Sequence, residues 1–392
     1  MAPDIAHRRN GIHLLRPNAS FDSRFVIEIA ADFSIRLRYS CFMGISRRLF
    51  LAGMGAASLR SQNAGPRRLD VHHHFASPKY KARLAEVKRQ GWDTFQSYEP
   101  NADLEAMDKG GIETAMLSVS TPGLWMGDEF TPERDRAIAL TRDMNDYGAQ
   151  LVRDHKNRFG LFAALPLPDM DASLAEIAYA FDTLKADGVG LLTSYGNHWL
   201  GEKMFEPILD ELNRRNAVVY VHPTDAPCCR GLANANPATF EWLADTARCI
   251  LSMVSGTPGA IVGRGGAEQS PASRYSNCNF IWSHAGGALI GVASRVVGGV
   301  TERDLSGTPP MNSRLYHIRR FFYDTAGSTN PILMQGIAKL AGSRQIVFGT
   351  DYPFGNGAAT AAGMQSVGFT DAQLRALDRE NALRILPRYR QA

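Results

Sequence analysis

From Leu69 onward the chain alternates short apolar runs, most of four to eight residues, with longer stretches of helical character. The runs are Leu69–His74, Thr114–Ser120, Gly160–Leu167, Val189–Tyr195, Ala217–His222, Phe280–His284, Arg320–Asp324 and Gln345–Thr350. Alternation of this kind reads as repeated βα units, because two parallel strands need a crossover between them and the crossover is usually a helix. The helical stretches include Pro132–Asp154, Ala172–Ala186, Phe205–Asn216, Thr239–Ser255, Pro331–Leu340 and Asp371–Leu386. Pro132 reads as a first-turn proline and Asp371 as an N-cap. Eight units in a row predict an α/β fold, a (β/α)8 TIM barrel. A doubly wound sheet would place a glycine-rich phosphate loop after its first strand, and here three histidines stand in that place. Gly256–Ser276, rich in Gly, Pro and Ser, reads as a loop insertion. Residues 75–112 form a long first connection that offers Trp92, Phe95 and Tyr98 as a roof for a pocket.

Chemistry-bearing residues stand where a barrel would gather them. Asp70-Val71-His72-His73-His74 closes the first run, His222 the fifth, His284 the sixth, and Asp351 follows the eighth. The C-terminal ends of barrel strands are where active sites assemble. Strand alternation puts Asp70, His72 and His74 on one face and Val71 and His73 on the other. Three imidazoles and a carboxylate, His72, His74, His222 and Asp351, suit one divalent cation, Zn²⁺ or Mn²⁺, with water or substrate completing the shell. His284 is then a proton-transfer group, and Asp351 is a second candidate for that role. Asp70 is placed to orient a ligand or to cap the strand. The fourth run has no lysine to bridge two metals, so the site is expected to be mononuclear.

Charge separates the chain into two parts. The whole sequence has 43 Lys+Arg and 39 Asp+Glu, a net of +4. Residues 1–68 hold 11 arginines and 4 acids, which leaves 32 basic and 35 acidic residues in the remainder, a net of −3. A body of that balance is no nucleic-acid footprint. No stretch is long and apolar enough for a transmembrane helix, so no stable membrane insertion is expected. The expected domains are a leader over 1–68 and a barrel over 69–392.

Within the leader, Ser46-Arg47-Arg48-Leu49-Phe50-Leu51 precedes a run of small and apolar residues to Leu59. That layout resembles the bacterial twin-arginine signal, which implies a periplasmic address if it functions and a cytoplasmic one otherwise. Met43 is then a candidate start, with residues 1–42 an over-extended gene prediction. Cys41 lies in the leader, and the spacing of Cys228, Cys229, Cys249 and Cys278 forms neither a disulfide framework nor a zinc ribbon. The adjacent Cys228 and Cys229 could ligate a metal, but they read first as loop thiols without a special role.

Several motifs carry a family resemblance: Asp70-x-His72-x-His74, Tyr220-Val221-His222-Pro223, Ser283-His284-Ala285-Gly286-Gly287 and Gly349-Thr350-Asp351-Tyr352-Pro353-Phe354. In this order they resemble the amidohydrolase superfamily, and more closely its branch of aminocarboxymuconate-semialdehyde, γ-resorcylate and 6-methylsalicylate decarboxylases. Gly190–Gly196 and Glu211–Arg215 are similar to the 6-methylsalicylate type. The resemblance runs from about Arg68 to Leu386 and implies His72, His74, His222 and Asp351 as metal ligands and His284 as catalytic acid or base. Members with Glu in place of the first His tend to use Mn²⁺, so His72 favours Zn²⁺. The implied reaction is non-oxidative decarboxylation of a small aromatic or enoic carboxylic acid, such as a salicylate-type hydroxybenzoate. Hydrolysis of a lactone or another ester-like bond is the alternative, since the same ligands serve both. Relatives are often homo-oligomers, dimers or tetramers, which sets that expectation here. Trp125, Tyr195, Trp199 and Phe354 are candidates to pack against a substrate ring, and Arg230 to pair with a carboxylate.

Overall fold

A computed structural model describes residues 67–391 apart from 88–92, 127–132, 225, 230, 231, 233, 257–266, 268 and 300. The leader with Arg47-Arg48, Trp92, Pro132, Arg230 and most of the Gly256–Ser276 insertion lie outside the described residues. Eight strands form one parallel sheet in sequence order. They are β1 (Arg68–His74), β2 (Ile112–Ser118), β3 (Phe159–Ala164), β4 (Gly188–Leu192), β5 (Val218–His222), β6 (Asn279–Trp282), β7 (Phe322–Asp324) and β8 (Ile346–Val347). The sheet closes on itself through Val71 N–H to Phe348 O (3.0 Å), Asp351 N–H to His72 O (2.8 Å) and His74 N–H to Tyr352 O (2.8 Å). The expected (β/α)8 barrel is therefore the observed one. Among the described residues no helix is long and apolar enough to cross a membrane.

Packing explains why the polar groups collect at one end. A buried cluster of Leu69, Met116, Phe162, Val218, Tyr220, Ile281, Phe322 and Val347 continues into Leu386 and Tyr389 near the C-terminus. Gly160 makes room for that segment, since a Cβ there would sit 2.3 Å from the Tyr389 hydroxyl. At the other end the apolar stack stops at Tyr220, whose ring meets the imidazole of His72 edge-on, 5.2 Å between centroids. A larger cluster, with Phe75, Met144, Ile208, Ile250, Ile337 and Phe348, cements the helices to the outside of the barrel. This two-shell core is what frees the strand ends for chemistry.

Element boundaries differ from the sequence expectations in instructive places. β6 ends at Trp282, and His284 sits in the turn beyond it with φ +51°. β8 is regular only over Ile346–Val347, and Asp351 also has positive φ, +63°. Both side chains point from non-strand backbone, a geometry that apolar patterning does not encode. The cap of the helix Asp371–Arg375 is Thr370, not Asp371: Thr370 is extended and its hydroxyl accepts from Gln373 N–H, completing a capping box. Beyond β4 the chain folds into a short hairpin, Ser194–Tyr195 against His198–Trp199. Cys228 and Cys229 are joined by a disulfide, where the sequence suggested unpaired thiols.

Candidate metal centre

His72 and His74 project from the end of β1 with their Nε2 atoms 3.1 Å apart. Asp351 Oδ1 lies 3.1 Å from His72 Nε2 and 3.2 Å from His74 Nε2. With His222 the four side chains offer ligand atoms that all lie within 4.8 Å of one another. These are the four residues expected from the sequence, brought together from β1, β5 and the β8 loop.

The outward nitrogens are all engaged. His72 Nδ1–H donates to Asp324 Oδ2 (2.8 Å), and His222 Nδ1–H to Pro223 O (2.8 Å). His74 Nδ1 faces the carbonyl and hydroxyl of Ser118 at 3.3 and 3.2 Å. Each ring is thereby held with Nε2 facing inward, the tautomer a cation requires. Asp351 Oδ1 is buried with no hydrogen-bond partner among the described residues, and so is His284 Nε2. A buried carboxylate oxygen without a hydrogen bond, set among the inward Nε2 atoms of three imidazoles, fits a divalent cation.

Electrostatics agree with that reading. Burial opposes charge on His72, but Asp324 and then Asp351 outweigh it and hold the imidazolium up to about 10. Burial, then the neighbouring His74 and His72, push His222 well below the usual imidazole value. Burial opposes charge on Asp351, yet His72 and His74 keep it well below the usual carboxylate range. A divalent cation held by His72, His74, His222 and Asp351 would supply the positive charge that the His72 proton supplies without it.

His284 stands beside the four. Its ring centroid is 4.9 Å from that of His72 and 5.9 Å from that of His222. Its Nδ1–H donates to Ala326 O (2.9 Å), which leaves Nε2 as the atom able to exchange a proton.

Asp70 does not orient a ligand ring. The β1–β2 register shifts between Asp70 and His73, so strict alternation fails and the Asp70 carboxylate reaches His73 Nδ1 (2.9 Å). It also accepts from the backbone of His72 (3.0 Å) and Thr350 (3.1 Å), tying the two ligand-bearing ends together. His73 in turn bonds Asp103 Oδ1 (2.7 Å) and stacks on Tyr352. Burial works against a charged His73, but Asp103 and Asp70 raise it to about 10.

Of the aromatic candidates among the described residues, only Phe354 reaches the cluster. It is 43% exposed, its ring lies 6.3 Å from that of His74, and Phe95 packs edge-on behind it at 5.1 Å. Tyr195 accepts from Leu192 N–H and leans on Phe205, while the Trp199 indole donates to Asp245 (2.7 Å). Trp125 lines a separate recess with Arg134 and Asp169. Phe95 and Tyr98 are buried rather than roofing open space, and Tyr98 O–H donates to Asp103 (3.1 Å).

Three further groups line the site that the sequence did not mark. Asp324 ends β7 as the ligands end their strands, a signal that was available. Trp242, 6.3 Å from His222 by ring centroid, has a buried indole N–H without a partner among the described residues. Asp245 anchors Thr193, Ser194 and Trp199. The last two lie on a helix, Glu241–Val254, and no local pattern marks them.

Comparison with known proteins supplies the lineage. The Amidohydrolase family profile matches residues 69–388. Decarboxylase yanB of Aspergillus niger is 32% identical over 341 residues, 82% of this chain and 88% of that protein. The 6-methylsalicylic acid decarboxylase of Penicillium expansum is 33% identical over 306 residues, 73% of this chain and 85% of its own. Among solved structures, a dihydroxybenzoic acid decarboxylase from Polaromonas sp. JS666, with bound manganese and the inhibitor 2-nitroresorcinol, superposes with a TM-score of 0.68. It is 20% identical, and the match covers 83% of this chain and 98% of that one. From the strand order, the ligand geometry and the matched profile, the chain belongs to the amidohydrolase family.

Proposed function

We propose that this protein is a metal-dependent, non-oxidative carboxy-lyase acting on a small aromatic carboxylic acid of the salicylate type. The observation that carries the reading is His284: a buried imidazole with Nδ1 fixed by Ala326 and Nε2 unpartnered among the described residues, set against four residues that could hold a metal. Support for decarboxylation over hydrolysis comes from the relatives, which are named decarboxylases at 32–33% identity.

His72, His74, His222 and Asp351 would hold the cation. When bound, it supplies positive charge that stabilises negative charge developing on the substrate oxygens. Phe354 offers a partly exposed ring against which an aromatic acid packs. His284 delivers a proton from Nε2 to the ring carbon that bears the carboxylate. The bond from that carbon to the carboxylate then breaks, its electron pair returns to the ring, and CO₂ leaves with both oxygens. One proton is consumed per turnover and no redox partner is needed. Asp351, already shared between His72 and His74, serves as ligand rather than proton donor. Zn²⁺ is the favoured cation because position 72 is an imidazole, with Mn²⁺ the alternative.

The test is metal analysis of the purified protein coupled to CO₂ release across salicylate-type acids. Stoichiometric metal with CO₂ release from at least one acid is the expected result. Opening of lactones with no CO₂ from any acid would overturn the reading.

A further inference from the structure

Asp324 touches both halves of the centre with one carboxylate. Its Oδ2 accepts from His72 Nδ1–H at 2.8 Å. Its Oδ1 accepts from the backbone N–H of His284 at 2.9 Å and of Ala326 at 3.0 Å. Ala326 then returns its carbonyl to His284 Nδ1. The side chain is fully buried. Gly349 allows the close approach, since a Cβ there would lie 2.9 Å from both Asp324 Cβ and His72 Cβ. His284 and Ala285 have φ of +51° and +55°, a conformation that L residues seldom adopt and that surrounding bonds must hold.

We infer that Asp324 is a positioning residue for the proposed reaction, fixing the tautomer of the ligand His72 and the backbone that presents His284. The inference rests on the metal-dependent reading above. Its two halves are chemically separable. An amide at position 324 must keep its oxygen toward the two backbone N–H donors of His284 and Ala326. Its NH₂ then faces His72 Nδ1 and forces that nitrogen to accept, which moves the ring proton to Nε2, the metal-facing atom. The isosteric substitution therefore spoils the ligand while preserving the His284 anchor. Alanine removes both.

The experiment compares wild type, Asp324→Asn and Asp324→Ala by competition for Zn²⁺ and Mn²⁺ against a chromophoric chelator, and by kcat at saturating metal. Asp324→Asn is expected to bind metal roughly 10- to 100-fold more weakly, and to lose less in kcat at saturating metal than Asp324→Ala does. Asp324→Ala is expected to lose metal affinity to a similar degree and at least about tenfold in kcat as well. A residue that only fills space would tolerate asparagine. Metal affinity of Asp324→Asn within twofold of wild type overturns the inference, as does equal kcat for the two variants. If Asp324→Ala does not fold, Gly349→Ala takes its place, pressing a methyl against Asp324 and His72. Folded Gly349→Ala is expected to bind metal about tenfold more weakly, and unchanged affinity overturns the tautomer role. The metal titration uses no substrate, so failure to release CO₂ from any acid would sink the decarboxylase reading and leave this arm intact.

Discussion

His72 and Asp351 are tied together twice, by the Asp351 N–H donating to His72 O at 2.8 Å and by Asp351 Oδ1 lying 3.1 Å from His72 Nε2. The seam that closes the barrel is thus also the seam that builds the metal centre. The first and last strands must pair before the proposed ligand set exists, so binding of a metal there would be linked to barrel closure.

Asp351→Asn exchanges an anionic ligand for a neutral one, so turnover should vanish and metal affinity should fall by at least about tenfold. His284→Ala should abolish turnover equally while most of the metal stays. Metal content by elemental analysis, measured beside CO₂ release, separates them. Equal metal loss in both variants would make His284 a ligand.

Metal removal should stop catalysis and loosen the fold at the seam. Exhaustive dialysis against a chelator is expected to eliminate CO₂ release and lower Tm. Readdition of Zn²⁺ or Mn²⁺ should restore both, since a ligand that binds only the folded state stabilises it by mass action. Full activity after verified metal depletion would contradict the assignment.

His73 lies between two buried carboxylates, 2.9 Å from Asp70 and 2.7 Å from Asp103. His73→Leu removes the shared imidazole, leaving Asp103 with Tyr98 and Asp70 with its backbone donors but neither with a positive partner. Breaking a buried pair this way costs about 3–5 kcal/mol. Urea unfolding of the two proteins measures it, and a loss below about 1 kcal/mol would mean the acids find other partners.

His317 is buried, and burial followed by the nearby Arg320 lowers its pKa from 6.5 to about 4. The unfolded chain therefore takes up a proton first as pH falls. The stabilising contribution is complete above pH 6.5 and is lost progressively down to pH 4. Comparing wild type with His317→Gln across pH 4–7 should show wild type losing on the order of 1–3 kcal/mol more over that window. Parallel pH profiles would refute it.

Much of the centre is legible in one dimension because barrel strands advertise themselves as apolar runs. A histidine or aspartate closing such a run stands out against its neighbours. His72, His74, His222, His284 and Asp351 are all found this way, and all converge. Strand patterning also sets the order of the eight strands, since each crossover returns the chain to the next position in a parallel sheet.

What pattern could not supply is the set of partners that aims these side chains. Asp324 reads as one more strand-end acid until closure sets it 2.8 Å from His72. Asp70 reads as a face-mate of the ligands until a register shift turns it to His73. The left-handed backbone at His284 and Asp351 and the Cys228–Cys229 bond also follow no period in the sequence. The physical reason is the range of the forces involved. Hydrophobic periodicity is local and repeats along the chain, so it can be read residue by residue. Tautomers, positive φ and hydrogen-bond partners are fixed by atoms that only tertiary packing brings within about 3 Å. The sequence alone thus determined the barrel and which side chains reach its mouth, and the closed structure decided which nitrogen of each imidazole faces the centre of the cluster.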